Sequence, residues 1–140
     1  MRSYRKPTTV FILVLLMFAT GALGRGYGRR RAQQGSWGGS GIQMEVTARG
    51  ATIEFDCGSG TIDGPIVLDR RSRFSARGTF TRGHGGPVRN DETNTGVAAI
   101  YSGKIVDDRM SLKITLAAPA RTVITYDLTF GQMVKLRRCY

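Results

Sequence analysis

Histidine is nearly absent from this sequence: His84 is the single one in 140 residues, and only two cysteines accompany it, Cys57 and Cys139. Three such side chains fall short of the four ligands of a structural zinc site, so no metal is expected. The serines stand without a G-x-S-x-G nucleophile elbow, which removes the common esterase arrangement. Gly103-Lys104 has neither the preceding glycine nor the following Ser or Thr of a phosphate-cradling P-loop. No window of ten or more residues carries an apolar stripe at helical spacing, which argues against a helical fold. No apolar run reaches the roughly 20 residues that cross a bilayer as a helix. Acidic side chains are few as well, ten against twenty-one Lys and Arg, for a formal net charge of +11.

What is present begins with the leader. Arg2, Arg5 and Lys6 precede an apolar run from Val10 to Phe18, extended to Leu23, and small residues follow at Ala22 and Gly24. Basic flank, short apolar stretch and small-x-small ending are the pattern of a secretory signal peptide over residues 1–24. Cleavage after Gly24, or alternatively after Ala22, leaves an exported chain in the periplasm or the medium, with no stable membrane span; a leader retained as an uncleaved anchor is the alternative. Loss of the leader takes the charge from +11 to about +8. Residues 25–40, RGYGRRRAQQGSWGGS, have little to bury and read as a flexible Gly/Arg-rich linker. From Gly41 onward only about +4 remains. The basicity therefore speaks for attraction to anionic envelope polymers or surfaces more than for a specific nucleic-acid site. Arg70, Arg71, Arg73 and Arg77 form a local basic run without interleaved exposed aromatics.

Residues 41–140 read as one all-β domain. Apolar side chains alternate with polar ones at Ile42, Met44, Val46, then at Ile53, Phe55, Cys57, then at Phe74, Ala76, Gly78, Phe80. Met110, Leu112, Ile114, Leu116 and Ile124, Tyr126, Leu128, Phe130 repeat the pattern, the period of half-buried strands. Turns are expected at Arg49-Gly50, Gly58-Ser59-Gly60, Asp107-Asp108 and Gly131-Gln132, and further strands over 61–68, 97–106 and 134–140. About eight short strands with mostly sequential connections predict a small antiparallel up-and-down β-barrel, with a β-sandwich as the alternative. In an oxidising compartment Cys57 and Cys139 are disulfide candidates, closing a loop of about 80 residues and pinning the last strand.

Two resemblances accompany this reading. Trp37-Gly38-Gly39, GATIEFDCGSGTIDGP from Gly50 to Pro65, Arg73-Phe74, GTFTRGHGGPVR from Gly78 to Arg89 and YSGKIVDDRMSLKI from Tyr101 to Ile114 resemble a family of small exported bacterial proteins of unknown function. That likeness implies secretion and a single β domain, and no activity. Gly35-Ser36-Trp37 is also similar to the G-x-W motif of lipocalin-type barrels. By that likeness Trp37 would close the barrel floor under an arginine of the last strand, Arg138 or its neighbour Arg137.

The best local concentration of reactive side chains runs from Arg82 to Glu92. A histidine near a carboxylate suits acid–base work, and His84-Gly85-Gly86 is similar to esterase oxyanion loops, yet the nucleophile is missing. The segment is read as a recognition loop in which Arg82, His84, Arg89 and Asp91 meet an anionic group or a partner. Glu45, Glu54 and Asp56 fall on the outer face. Together these features predict a monomeric exported barrel that is not an enzyme and carries no cofactor. It would bind a small apolar ligand inside or an anionic envelope component at its loops. An envelope protein-interaction or inhibitor domain is the first alternative, and a hydrolase using His84 the second.

Overall fold

The computed structural model describes residues 28–83, 96–117, 121–137 and 139. Eight strands form in chain order: β1 (Gly35–Gly39), β2 (Ile42–Thr47), β3 (Gly50–Phe55), β4 (Gly58–Asp63), β5 (Arg73–Arg82), β6 (Val97–Val106), β7 (Arg109–Leu116) and β8 (Thr122–Phe130). Each pairs antiparallel with the next, and β8 returns to β1, so the sheet closes as an up-and-down barrel. No helix occurs among the described residues. Closure removes the free edges that an open sheet of this size would expose.

The alternation seen in the sequence sorts side chains between the two faces. Ile42, Met44 and Val46 of β2 are buried between the partly exposed Gln43 and the exposed Glu45. Met110, Leu112, Ile114 and Leu116 of β7 do the same against Arg109, Ser111 and Lys113. At the centre Trp37, Tyr101, Met44 and Ile114 are fully buried, so side chains fill the interior there. Each such large apolar side chain contributes about 1.5–3 kcal/mol when taken from water. The Trp37 ring meets the edge of Phe130 at 5.1 Å between centroids. Phe55 packs on Phe80 at 5.3 Å and on Tyr126 at 5.5 Å.

Three local expectations are corrected. First, Gly35–Gly39 is strand β1 rather than the end of a linker. Its glycines made it look unstructured, but Gly38 and Gly39 are buried because other backbone passes close to them. Second, Gly58-Ser59-Gly60 opens β4, and the turn before it is Asp56-Cys57. A side chain at Gly60 would run into the hydroxyl of Tyr101 across the interior, so glycine here serves packing and not a turn. β4 then ends at Asp63, and Pro65 lies beyond it, not within a strand reaching residue 68. Third, residues 132–137 form no strand. They run as a strap outside β1, β2 and β3, held by side chains instead of a ladder: Gln43 Oε1 accepts from the Val134 amide at 2.9 Å, and Asp56 Oδ1 accepts from the Arg137 amide at 2.7 Å.

The strap ends in the expected disulfide. Cys57 in the β3–β4 turn is joined to Cys139, with Cα atoms 5.4 Å apart, inside the usual range. The antiparallel order places the β2–β3, β4–β5 and β6–β7 connections on one rim, with the chain entering β1 and leaving β8 there. The disulfide and the β5–β6 and β7–β8 connections lie on the other rim.

Candidate functional site

The entry rim is built from two segments remote in sequence. Pro65 interrupts the chain after β4, and Ile66 turns inward to become almost fully buried. Ala32 is buried with it. The backbone stitches the two together: the Ala32 amide donates to Ile66 O at 2.9 Å, and the Leu68 amide donates to Arg30 O at 2.8 Å. Arg31 and Val67 form an isolated antiparallel bridge between them. Residues 30–32 are thus fixed to the barrel well before β1 begins.

Asp69 organises the next turn. Its Oδ1 accepts from the backbone amides of Arg71 at 2.7 Å and Arg73 at 2.8 Å. Its own amide donates to Arg73 O at 2.8 Å. Ser72 takes a left-handed backbone, φ 60°, and its carbonyl accepts from the Ile105 amide of β6 at 2.9 Å. Such a short acid that ties down the amides two and four residues on is the usual way to lock an irregular turn. The Arg73 amide hydrogen bond is the main reason the Asp69 carboxyl is held below its ordinary value. The Arg71 amide and the guanidinium charges of Arg73 and Arg71 add to it, against a smaller desolvation effect.

Between these segments lies an open groove of about 1070 Å³. Arg29, Arg30, Arg70 and Arg73 line it, with Val67, Leu68 and Phe74 as its apolar part. Asp69 is the single carboxylate among the described lining residues, and its Oδ1 already serves two amides. Arg30 is itself oriented by a hydrogen bond from Nη2 to Ser72 Oγ at 3.1 Å. Four arginines against one carboxylate in the lining give this concavity a net positive charge that attracts anions, and guanidinium forks match phosphate and carboxylate oxygens.

The sequence-predicted residues fall elsewhere. Arg82 ends β5 on the far rim, exposed and paired with Gly58, and it does not line the groove. His84, Arg89 and Asp91 lie outside the described residues, as does Arg138. Trp37 is fully buried inside the barrel, and among the described residues the ring it meets is that of Phe130. Its indole N–H donates to Gln33 O at 3.1 Å. Arg137 is exposed, with its amide on Asp56. Glu45 and Glu54 are exposed as expected, and Asp56 is half-buried under the strap. Among the described residues no three His, Cys, Asp or Glu side chains gather into a metal site.

The groove escaped the sequence because its halves are some 40 residues apart and one of them reads as a tether. The signals available were the apolar triplet Ile66-Val67-Leu68 after Pro65 and the cations Arg29 and Arg30 upstream. Neither announces a partner by itself. Set beside family models, curated proteins and solved structures, the chain matches none.

Proposed function

We propose that this chain is a non-catalytic binding module of the cell envelope that takes an anionic component at its rim groove. The observation that carries the reading is the convergence of Arg29, Arg30, Arg70 and Arg73 on one open concavity containing a single carboxylate. A packed interior supports the rim over the barrel lumen: Trp37, Tyr101, Met44 and Ile114 occupy the space an enclosed apolar ligand would need. The Cys57–Cys139 disulfide suits an oxidising compartment outside the cytoplasm, and the basic leader with its short apolar run points the same way.

Titration of the full chain with soluble polyphosphate, followed by calorimetry, tests the reading. Binding is expected to saturate and to weaken steeply with salt, because guanidinium–phosphate pairs at a surface are screened. Arg70→Ala with Arg73→Ala is expected to weaken it by about ten-fold or more, at roughly 1 kcal/mol or somewhat above for each guanidinium removed. Undiminished binding by that double variant, or no saturable binding by the parent chain, removes the groove as the site.

A further inference from the structure

We infer that the groove-bearing rim is a docking surface for an anionic lipid bilayer, an assignment that rests on the groove being an anion site. Two independent features of the fold converge on that rim. The first is charge. Arg73 opens β5 and pairs with Lys104 of β6, so both lie at this end of the barrel. Arg70 and Arg71 are exposed on the turn just before it, and Arg29 and Arg30 line the same groove. The acids on this rim are Asp63 at the end of β4, Asp69, whose carboxylate accepts from two backbone amides, and Asp107-Asp108 of the β6–β7 hairpin, fewer than the cations Arg29, Arg30, Arg70, Arg71, Arg73 and Lys104.

The second feature is where the chain enters. Gly28 lines the groove, and 27 residues precede it, including the apolar run that ends at Leu23. Five residue steps separate Leu23 from Gly28, a reach of at most about 18 Å when fully extended. Where the leader is retained, an apolar run seated in a bilayer keeps this rim nearer the headgroups than the far rim. The surface potential of anionic lipids decays within a Debye length of about 8–10 Å. A rim held so near the headgroups can come within that range, while the far rim is a barrel length away. Val67 and Leu68, which line the groove together with the arginines, suit the boundary between headgroup and acyl chain.

The test is co-sedimentation of the full chain with vesicles of phosphatidylcholine alone or containing about one-third phosphatidylglycerol. Anionic vesicles are expected to bind more tightly than neutral ones, and about 1 M salt, which shortens the Debye length to about 3 Å, should abolish the difference. The triple variant Arg29→Ala, Arg70→Ala, Arg73→Ala is expected to lose about 100-fold of the anionic binding, at about five-fold per cation. Its binding to neutral vesicles, which the leader alone provides, should not change. Lysines at the same three positions should restore the anionic binding. A charge-matched control, Arg77→Ala, Arg82→Ala, Arg121→Ala, lies away from the rim and should move it by less than about three-fold.

Equal losses in the two triple variants would reduce the effect to overall charge and overturn the docking surface. If the rim variant loses polyphosphate binding but keeps its vesicle binding, the bilayer assignment fails while the groove remains an anion site. If it loses neither, both fail.

Discussion

The side-chain oxygen of Gln43 accepts a hydrogen bond from the amide of Val134 at 2.9 Å, across 91 residues of chain. The same amide group of Gln43 donates to Gln132 O at 3.4 Å and to Trp37 O at 3.3 Å, so one side chain ties β1, β2 and the C-terminal strap together. This matters because the closing seam is thin: β1 and β8 share two register pairs, whereas β5 and β6 share eight. The strap leaves β8, crosses β1 and β2, and is fastened by Cys139 to the end of β3. It holds closed the part of the barrel that the ladder holds least.

Reduction of the disulfide should therefore cost stability and loosen the seam first. With a sequence separation of 82 between the cysteines, the chain-entropy model puts the loss at about 4–5 kcal/mol. Denaturant unfolding with and without reductant measures the total. Hydrogen exchange locates it: the Val134 and Arg137 amides should lose protection before those of β6 and β7. Simultaneous loss everywhere would deny the strap its role at the seam.

Gln43→Ala isolates the polar clasp from the covalent one. It removes the acceptor of Val134 and should cost about 1 kcal/mol, read as a lower denaturation midpoint with the slope unchanged. The cost should shrink in the reduced protein, where the strap is already free.

Gly60 and Tyr101 form a second testable pair. The Tyr101 hydroxyl donates to Thr79 O at 2.6 Å and lies where a Gly60 side chain would be. Burial, with the nearby Asp63 charge as a lesser cause, pushes this phenol far above its ordinary value, so it remains a donor. Gly60→Ala should destabilise by about 1–3 kcal/mol through overpacking. Tyr101→Phe alone should cost about 0.5–1.5 kcal/mol for the missing hydrogen bond. Combined, the two should cost less than their sum, because removing the hydroxyl vacates the space the new methyl needs. An additive result would mean that the clash is relieved in some other way.

The Asp69 turn should respond to acid. Its carboxyl is held below the ordinary 3.8, chiefly by the Arg73 amide. A group depressed in the folded state contributes stability that is present above its unfolded value and lost as pH falls through the folded one. The loss should thus begin near 3.8 and continue below it. NMR titration of the Asp69 carboxyl should give a midpoint under 3.8, with the Arg71 and Arg73 amide shifts moving in step. A midpoint at or above that value would show that the turn is not held this way.

Much of the barrel is legible in the sequence because period-two alternation has one physical meaning on a half-buried sheet. Met110 to Leu116 and Ile124 to Phe130 need no tertiary information to be read as strands with an inner face. The disulfide follows from there being only two cysteines in a chain read as exported. Glycine is where local reading fails. Gly58 and Gly60 carry the composition of a turn, and the Gly35–Gly39 segment that of a tether. In both, the missing side chain answers to a group from another segment: Tyr101 of β6 at Gly60, and Gln132 and Val134 of the strap at Gly38.

The recognition residues divide in the same way. The sequence alone determines that the chain is basic and alternates as a β protein, since these are a sum and a period along one dimension. Only the tertiary structure decides that Arg29 and Arg30 join Arg70 and Arg73 in one groove. That meeting depends on Ala32 and Ile66 being buried together and on backbone hydrogen bonds between distant segments. Such bonds are made by groups every residue possesses, so no side-chain pattern encodes which two segments will share them.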